Sequence, residues 1–206
     1  HSLAIEPTVV QRMQELIEGL LHYQEAQFRR PALAPTQIAL PALISAVIRQ
    51  HRLTMAAKGI RIAVECPAIE VHGDPEKLGA VMGNLISNAI KFSPEGSTVT
   101  LQGRDELEAL VVEVSDEGIG IPTEDQPHIF EDFFRAENAE EFGGAGLGLS
   151  IAKKIVAAHE GTIDVTSPYQ PGKPGTRFTV RIPRGLPLPG ESRLTVETGE
   201  PTPART

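Results

Sequence analysis

GGAGLGLSIAKKIVAAHEG, residues 143–161, is the stretch on which the reading of this chain turns. Glycines at 143, 144, 146 and 148 lead directly into a clear helix, expected over residues 147–159. Backbone N–H groups of such a loop, with the positive end of a helix behind them, favour phosphate. Ser150 can add a hydrogen bond at the helix start. A flexible loop with a plain helix cap would use the same residues, so the stretch needs support from elsewhere in the sequence.

Two upstream segments supply it. DEGIGIP, residues 116–122, follows the apolar strand-like run ALVVEV and places Asp116 at the strand end. Gly118 and Gly120 permit a close approach of backbone to a ligand. A buried carboxylate there can accept from an adenine amino group, and it is costly without a donor. Ile119 and Ile121 offer apolar flanks to a flat ring. NLISNAIKFS, residues 84–93, spaces Asn84, Asn88 and Lys91 by four and then three, on one face of a helix. Val81, Leu85, Ala89 and Phe92 lie to its other side. An amide oxygen can ligate Mg²⁺, and a lysine one turn away can meet phosphate. Singly, these segments also fit a strand-end turn and the polar outer face of a buried helix. Together, with IFEDFFRA at residues 129–136 between the second and third, they supply different needs of one nucleotide.

The ordered set resembles the catalytic and ATP-binding domain of sensor histidine kinases, in the wider ATPase group that includes gyrase-type, Hsp90-type and MutL-type proteins. NLISNAIKF is similar to the asparagine box, DEGIGIP to the first glycine box, IFEDFFRA to the phenylalanine box and GGAGLGL to the second glycine box. The resemblance covers about residues 35–183. It implies Mg-ATP held beneath a mobile lid, with Asn84, Asn88 and Lys91 as the catalytic face. By position, Asn88 matches the Mg²⁺ ligand, Lys91 a phosphate-facing residue and Asp116 the adenine acceptor, with Gly118 and Gly120 in its pocket. Gly144, Gly146, Leu147 and Gly148 match the phosphate side. Asn84 stands where the hydrolytic relatives carry a glutamate. An amide cannot act as that general base, so transfer to an acceptor is expected over hydrolysis. Residues 123–142 match the lid, with seven acidic residues, Arg135 as the one local cation for the phosphates, and Phe130, Phe133 and Phe134 as hinge anchors.

Working outward, the spacing predicts helices over 8–28, 41–58 and 75–90, with Gly59 stopping the second and a turn around Gly73 and Asp74 before the third. Strands are expected at 37–40, 61–66, 98–103, 109–115, 162–167 and 176–182. The fold class is an α+β two-layer sandwich: a mixed sheet covered on one face by helices, preceded by one long helix. Residues 1–30 read as a partial dimerisation helix, 31–183 as the ATP-binding domain and 184–206 as a flexible Pro/Gly-rich tail. The resemblance implies a homodimer through the N-terminal helix and a response regulator as partner. The family's HE-x-R-x-P acceptor box is missing, and His22 lies where the family does not place an acceptor. His51, His72, His128 and His159 read as packing, turn or surface residues.

Composition narrows the classes. With 19 Lys+Arg against 27 Asp+Glu, a net charge of -8, nucleic acid is not an expected partner. The single cysteine, Cys66, excludes an intrachain disulfide. No apolar run reaches the roughly 18 residues of a membrane span. The expectation is a cytoplasmic domain, whose parent would reach the inner membrane only through segments absent here. The alternative reading is a nucleotide-binding signalling module that supports dephosphorylation of a regulator.

Overall fold

The computed structural model describes residues 33–139 and 141–184. The expected N-terminal helix and the expected tail beyond Arg184 lie outside the described residues. A five-stranded sheet has the order β2-β4-β5-β7-β6, with β2 Arg61–Glu65, β4 Thr98–Asp105, β5 Ala109–Ser115, β6 Thr162–Thr166 and β7 Arg177–Pro183. β2 runs parallel to β4 and the other pairs are antiparallel, so the sheet is mixed as expected. Register places Leu110 opposite Ile182, Val112 opposite Val180 and Val114 opposite Phe178, and all six side chains are buried. Period-two alternation thus directs one apolar face inward.

Helices cover that face. α1 is Leu40–Gln50, α2 Arg52–Lys58, α3 Pro75–Phe92 and α4 Gly148–Ala158. α3 buries Leu78, Val81, Met82, Leu85, Ile86, Ala89 and Ile90, and each of the larger ones contributes about 1.5–3 kcal/mol by leaving water. α1 and α4 flank it. None of the helices among the described residues is long and apolar enough to cross a membrane.

Two elements depart from the sequence reading. The expected helix over 41–58 breaks at His51 (φ -91°, ψ 3°), and α2 buries no residue. α1 follows the core through Leu40, Ile44 and Val47, whereas α2 reaches it through partly buried Met55 and ends at Gly59 (φ 65°) as expected. Residues 70–73, of which the sequence reading places only Gly73, in a turn, form β3 (Glu70–Gly73), which pairs antiparallel with β1 (Thr36–Ala39), Ile38 opposite Val71. A four-residue strand has too little periodicity of its own, and its pairing partner lies more than thirty residues upstream.

His159 fastens the two long helices. It is 0% exposed; its Nδ1 donates to Ile155 O in α4 (2.9 Å), and its Nε2 accepts from the Asp74 backbone N–H (3.1 Å). Those partners require the neutral tautomer with the proton on Nδ1. Asp74 in turn caps α3: Oδ1 accepts from Glu76 and Lys77 N–H, and Oδ2 from Ala34 N–H. Burial pushes the Asp74 carboxyl up, but the three N–H bonds and nearby Lys77 together hold it below the usual range. Replacing His159 by Ala leaves a cavity and an orphaned N–H on α3. It should cost about 2–4 kcal/mol, read in urea unfolding as a lower midpoint at unchanged slope.

Candidate nucleotide site

α3 presents Asn84, Asn88 and Lys91 half-buried along one face, as their spacing requires. The structure sets the glycine loop against that face. A Cβ on Gly148 would lie 3.1 Å from Asn84 Oδ1, and one on Gly144 would lie 2.9 Å from Lys91 Nζ. Lys91 Nζ donates to Gly143 O and sits 4.8 Å from the Phe92 ring centroid. Phe92 meets Phe142, at the far end of the expected lid, with centroids 5.1 Å apart. Lys58 holds the end of α3, its Nζ donating to Ile90 O (2.9 Å) and Lys91 O (2.6 Å). This arrangement favours the helix C-terminus electrostatically and nothing in the local sequence of Lys58 signals it.

The other side of the glycine loop is pinned by IFEDFFRA. Phe133 donates its N–H to Gly146 O (3.1 Å). A Cβ on Gly146 (φ 72°) would come within 2.7 Å of Phe133 C, so only glycine fits. Phe133 itself has φ 64°, a conformation costing a bulky residue about 1–2 kcal/mol. It is 56% exposed, whereas Phe130 and Phe134 pack on the core, so two of the three expected anchors face inward. Lys154 in α4 pairs with Asp132 at 2.9 Å, and Lys153 lies over Phe130. Arg135 is exposed and donates to Ala139 O (2.9 Å), within the lid. Leu147 is 3% exposed; its side chain belongs to the core, which leaves only its backbone for the phosphate side expected of it.

Asp116 is 4% exposed at the end of β5. Its Oδ1 accepts from Gly118 N–H (2.8 Å) and Thr176 N–H (3.2 Å), and its own N–H donates to Thr176 O (2.9 Å). Both side-chain bonds fall on Oδ1. Gly118 is compelled to be glycine, since a Cβ would sit 2.7 Å from Asp116 Oδ1 and 2.8 Å from Phe92 O. Gly120 (φ 72°) receives Asn138 Nδ2 from the lid on its carbonyl (3.0 Å). Of the two expected apolar flanks, Ile121 packs on the core and Ile119 is 39% exposed. Thr176 is not among the residues that the sequence singles out. It acts through its backbone, so no side-chain type marks it, and only β5–β7 pairing brings it sixty residues across the sequence.

Residues 73–186 match the family model described as histidine kinase-, DNA gyrase B- and HSP90-like ATPase. The chain belongs to this family. SenX3, a sensor-like histidine kinase of Mycobacterium tuberculosis, is 35% identical over 175 residues, which are 84% of this chain and 42% of SenX3. The sensor histidine kinase WalK of Bacillus subtilis is 34% identical over 187 residues, 88% of this chain and 30% of WalK. The chain therefore spans less than half the length of these relatives. Among solved structures, the mycobacterial sensor histidine kinase MprB superposes with a TM-score of 0.66 at 28% identity, over 73% of this chain and 100% of that one. The catalytic domain of the histidine kinase ThkA gives 0.64 at 28% identity, over 73% and 97%. The protein is thus a histidine-kinase-like ATP-binding domain of the two-component signalling type.

Within this histidine-kinase-like domain, burial outweighs the two N–H bonds and pushes the Asp116 carboxyl up to about 6 from the usual 3.8. Folding therefore favours the neutral acid. That contribution is complete below about pH 4 and is lost as pH rises through about 6, so at neutral pH the buried charge costs the ligand-free domain stability. Asp116→Asn keeps an oxygen for Gly118 and Thr176 and removes the charge. At pH 7.5 it should stabilise the ligand-free protein by about 1–3 kcal/mol, and at pH 4 the gain should vanish, as measured by denaturant unfolding at the two pH values.

Proposed function

We propose that this domain binds Mg-ATP and is the catalytic part of a two-component sensor histidine kinase, donating the γ-phosphoryl to a histidine on a dimerisation domain. From that histidine the phosphoryl passes to an aspartate of a response regulator. The observation that carries the reading is the buried Asp116 carboxylate, whose two hydrogen bonds both fall on Oδ1, in a fold whose glycine loop is held by Lys91. Adenine offers an amino donor to such a carboxylate, whereas guanine presents a carbonyl that repels it. The donor set fits the rest of the ligand: Asn88 offers a neutral oxygen for Mg²⁺, while Lys91 and the backbone of Gly144, Gly146 and Gly148 face phosphate. When bound, Mg²⁺ neutralises charge building on the phosphate oxygens.

The work of the protein is then positioning and charge stabilisation. Lys91 stabilises negative charge beside the glycine loop, and Lys58 keeps it there by holding the last turn of α3. The acceptor imidazole nitrogen forms the new N–P bond, the P–O bond to ADP breaks, and the ring proton leaves to solvent. Asn84, an amide set against the start of α4, is not a base and does not activate water. Such chemistry belongs in the cytoplasm, where ATP and response regulators are found. In the parent protein, the N-terminal helix would form the homodimer that brings the acceptor histidine to this site.

ATP should bind with Mg²⁺ dependence and GTP much more weakly, and Asp116→Asn should weaken ATP by about 1–3 kcal/mol in calorimetry. Equal ATP and GTP affinities would sink the base assignment. With γ-labelled ATP the protein alone should acquire little acid-labile label, and a separate dimerisation fragment carrying an acceptor histidine should become labelled. Strong labelling of the protein alone, abolished by His22→Ala, would overturn the assignment of the acceptor to another segment. Hydrogen exchange across residues 123–142 should slow when ATP is added; slow exchange unchanged by ATP would rule out an ordering lid.

A further inference from the structure

Ser167 follows β6 and is 8% exposed. Its hydroxyl links two loops that no strand ladder joins. It accepts from Ile121 N–H (2.8 Å) and donates to Gly175 O (2.9 Å). Gln126, at the root of the lid, locks the same junction: its Nε2 donates to Ser167 O (2.5 Å) and to Ile121 O (3.1 Å). Each of these loops ends on Asp116. Gly175 precedes Thr176, which bonds Asp116 through both N–H and C=O, and a Cβ on Gly175 would collide with Asp116 O. Ile121 closes the turn that begins with the Gly118 N–H bond to the same carboxylate. A Cβ on Gly120 would lie 3.1 Å from Ser167 Oγ, so the hydroxyl sits directly behind that turn.

We propose that Ser167, locked by Gln126, is a positioning residue for base recognition: it sets the spacing of the two loops that aim Asp116 at the base. It does not touch the nucleotide itself. The inference rests on the reading of Asp116 as the base acceptor. Its physical ground is that one hydroxyl serves both loops at once. Removing it orphans a backbone N–H on one and a backbone carbonyl on the other, and the cheapest relief is for the loops to part and admit water. A wet, widened site weakens the bond that distinguishes adenine from guanine more than it weakens the phosphate contacts, which belong to α3 and the glycine loop.

The test measures ATP and GTP affinities of the protein by competition against a fluorescent adenine nucleotide. Ser167→Ala should weaken ATP by about tenfold with little change for GTP, so the adenine preference shrinks. Ser167→Thr, which keeps the hydroxyl, should restore most of the preference. Gln126→Ala should move the ratio the same way by a smaller factor. If Ser167→Ala does not fold, the ratio in Gln126→Ala decides. Unchanged ratios in the folded variants, or an equal loss for ATP and GTP, overturn the positioning role while leaving Asp116 in place. A wild-type protein without adenine preference would instead refute the Asp116 reading, and this proposal with it.

Discussion

Where Ser115 on β5 pairs with Arg177 on β7, the two central strands run out side by side, and the next residue on one meets the residue before the other. Asp116 then donates its N–H to Thr176 O, the Thr176 N–H returns to the Asp116 carboxylate, and the carboxylate takes a second donor from Gly118. This pairing holds the acidic side chain nearly dry in the middle of the fold. A one-residue slip of β7 would turn Phe178, Val180 and Ile182 out of the core and would also withdraw Thr176 from Asp116. Core packing and site geometry are therefore set by the same register.

The same sheet carries a second buried acid that is treated differently. Glu113, 6% exposed on the face away from the helices, is met by both terminal nitrogens of Arg104 (2.7 and 3.1 Å) and by Arg177 at 3.5 Å. The hydrogen bonds from Arg104 outweigh burial and hold its carboxyl low. Asp116 receives no guanidinium, only backbone donors on one oxygen, and burial wins. The contrast separates a carboxylate paired with guanidinium groups from one held by backbone donors alone, two acids on one strand end distinguished by their surroundings.

α3 divides its labour by face. Its buried side joins α1, α4 and the sheet, and its half-buried side carries the amides and Lys91. Because His159 and Asp74 fix its beginning and Lys58 its end, the polar face is held at both termini. The segment between Pro122 and Gly146 is built otherwise: turns, a short 3₁₀ helix at Glu137–Ala139, and few buried apolar side chains beyond Ile129 and Ala136.

Much of this was legible in the sequence. Helical spacing marked α3 and α4, the apolar run ALVVEV marked β5, and Gly59 marked the end of α2, because each signal lies in side chains a few residues apart. The glycines, Asn84, Asn88, Lys91 and Asp116 could be singled out on the same local grounds. The break at His51, the pairing of β3 with β1, the outward turn of Phe133 and the burial of Leu147 could not, since each depends on what packs against it from elsewhere. Thr176, Ser167, Gln126 and Lys58 took their places only in the folded protein. Three of them act on backbone N–H or C=O groups of distant segments, and Thr176 acts through its own. Nearly every residue carries those groups, so the local sequence does not mark which of them will meet; the sheet register and helix packing decide it.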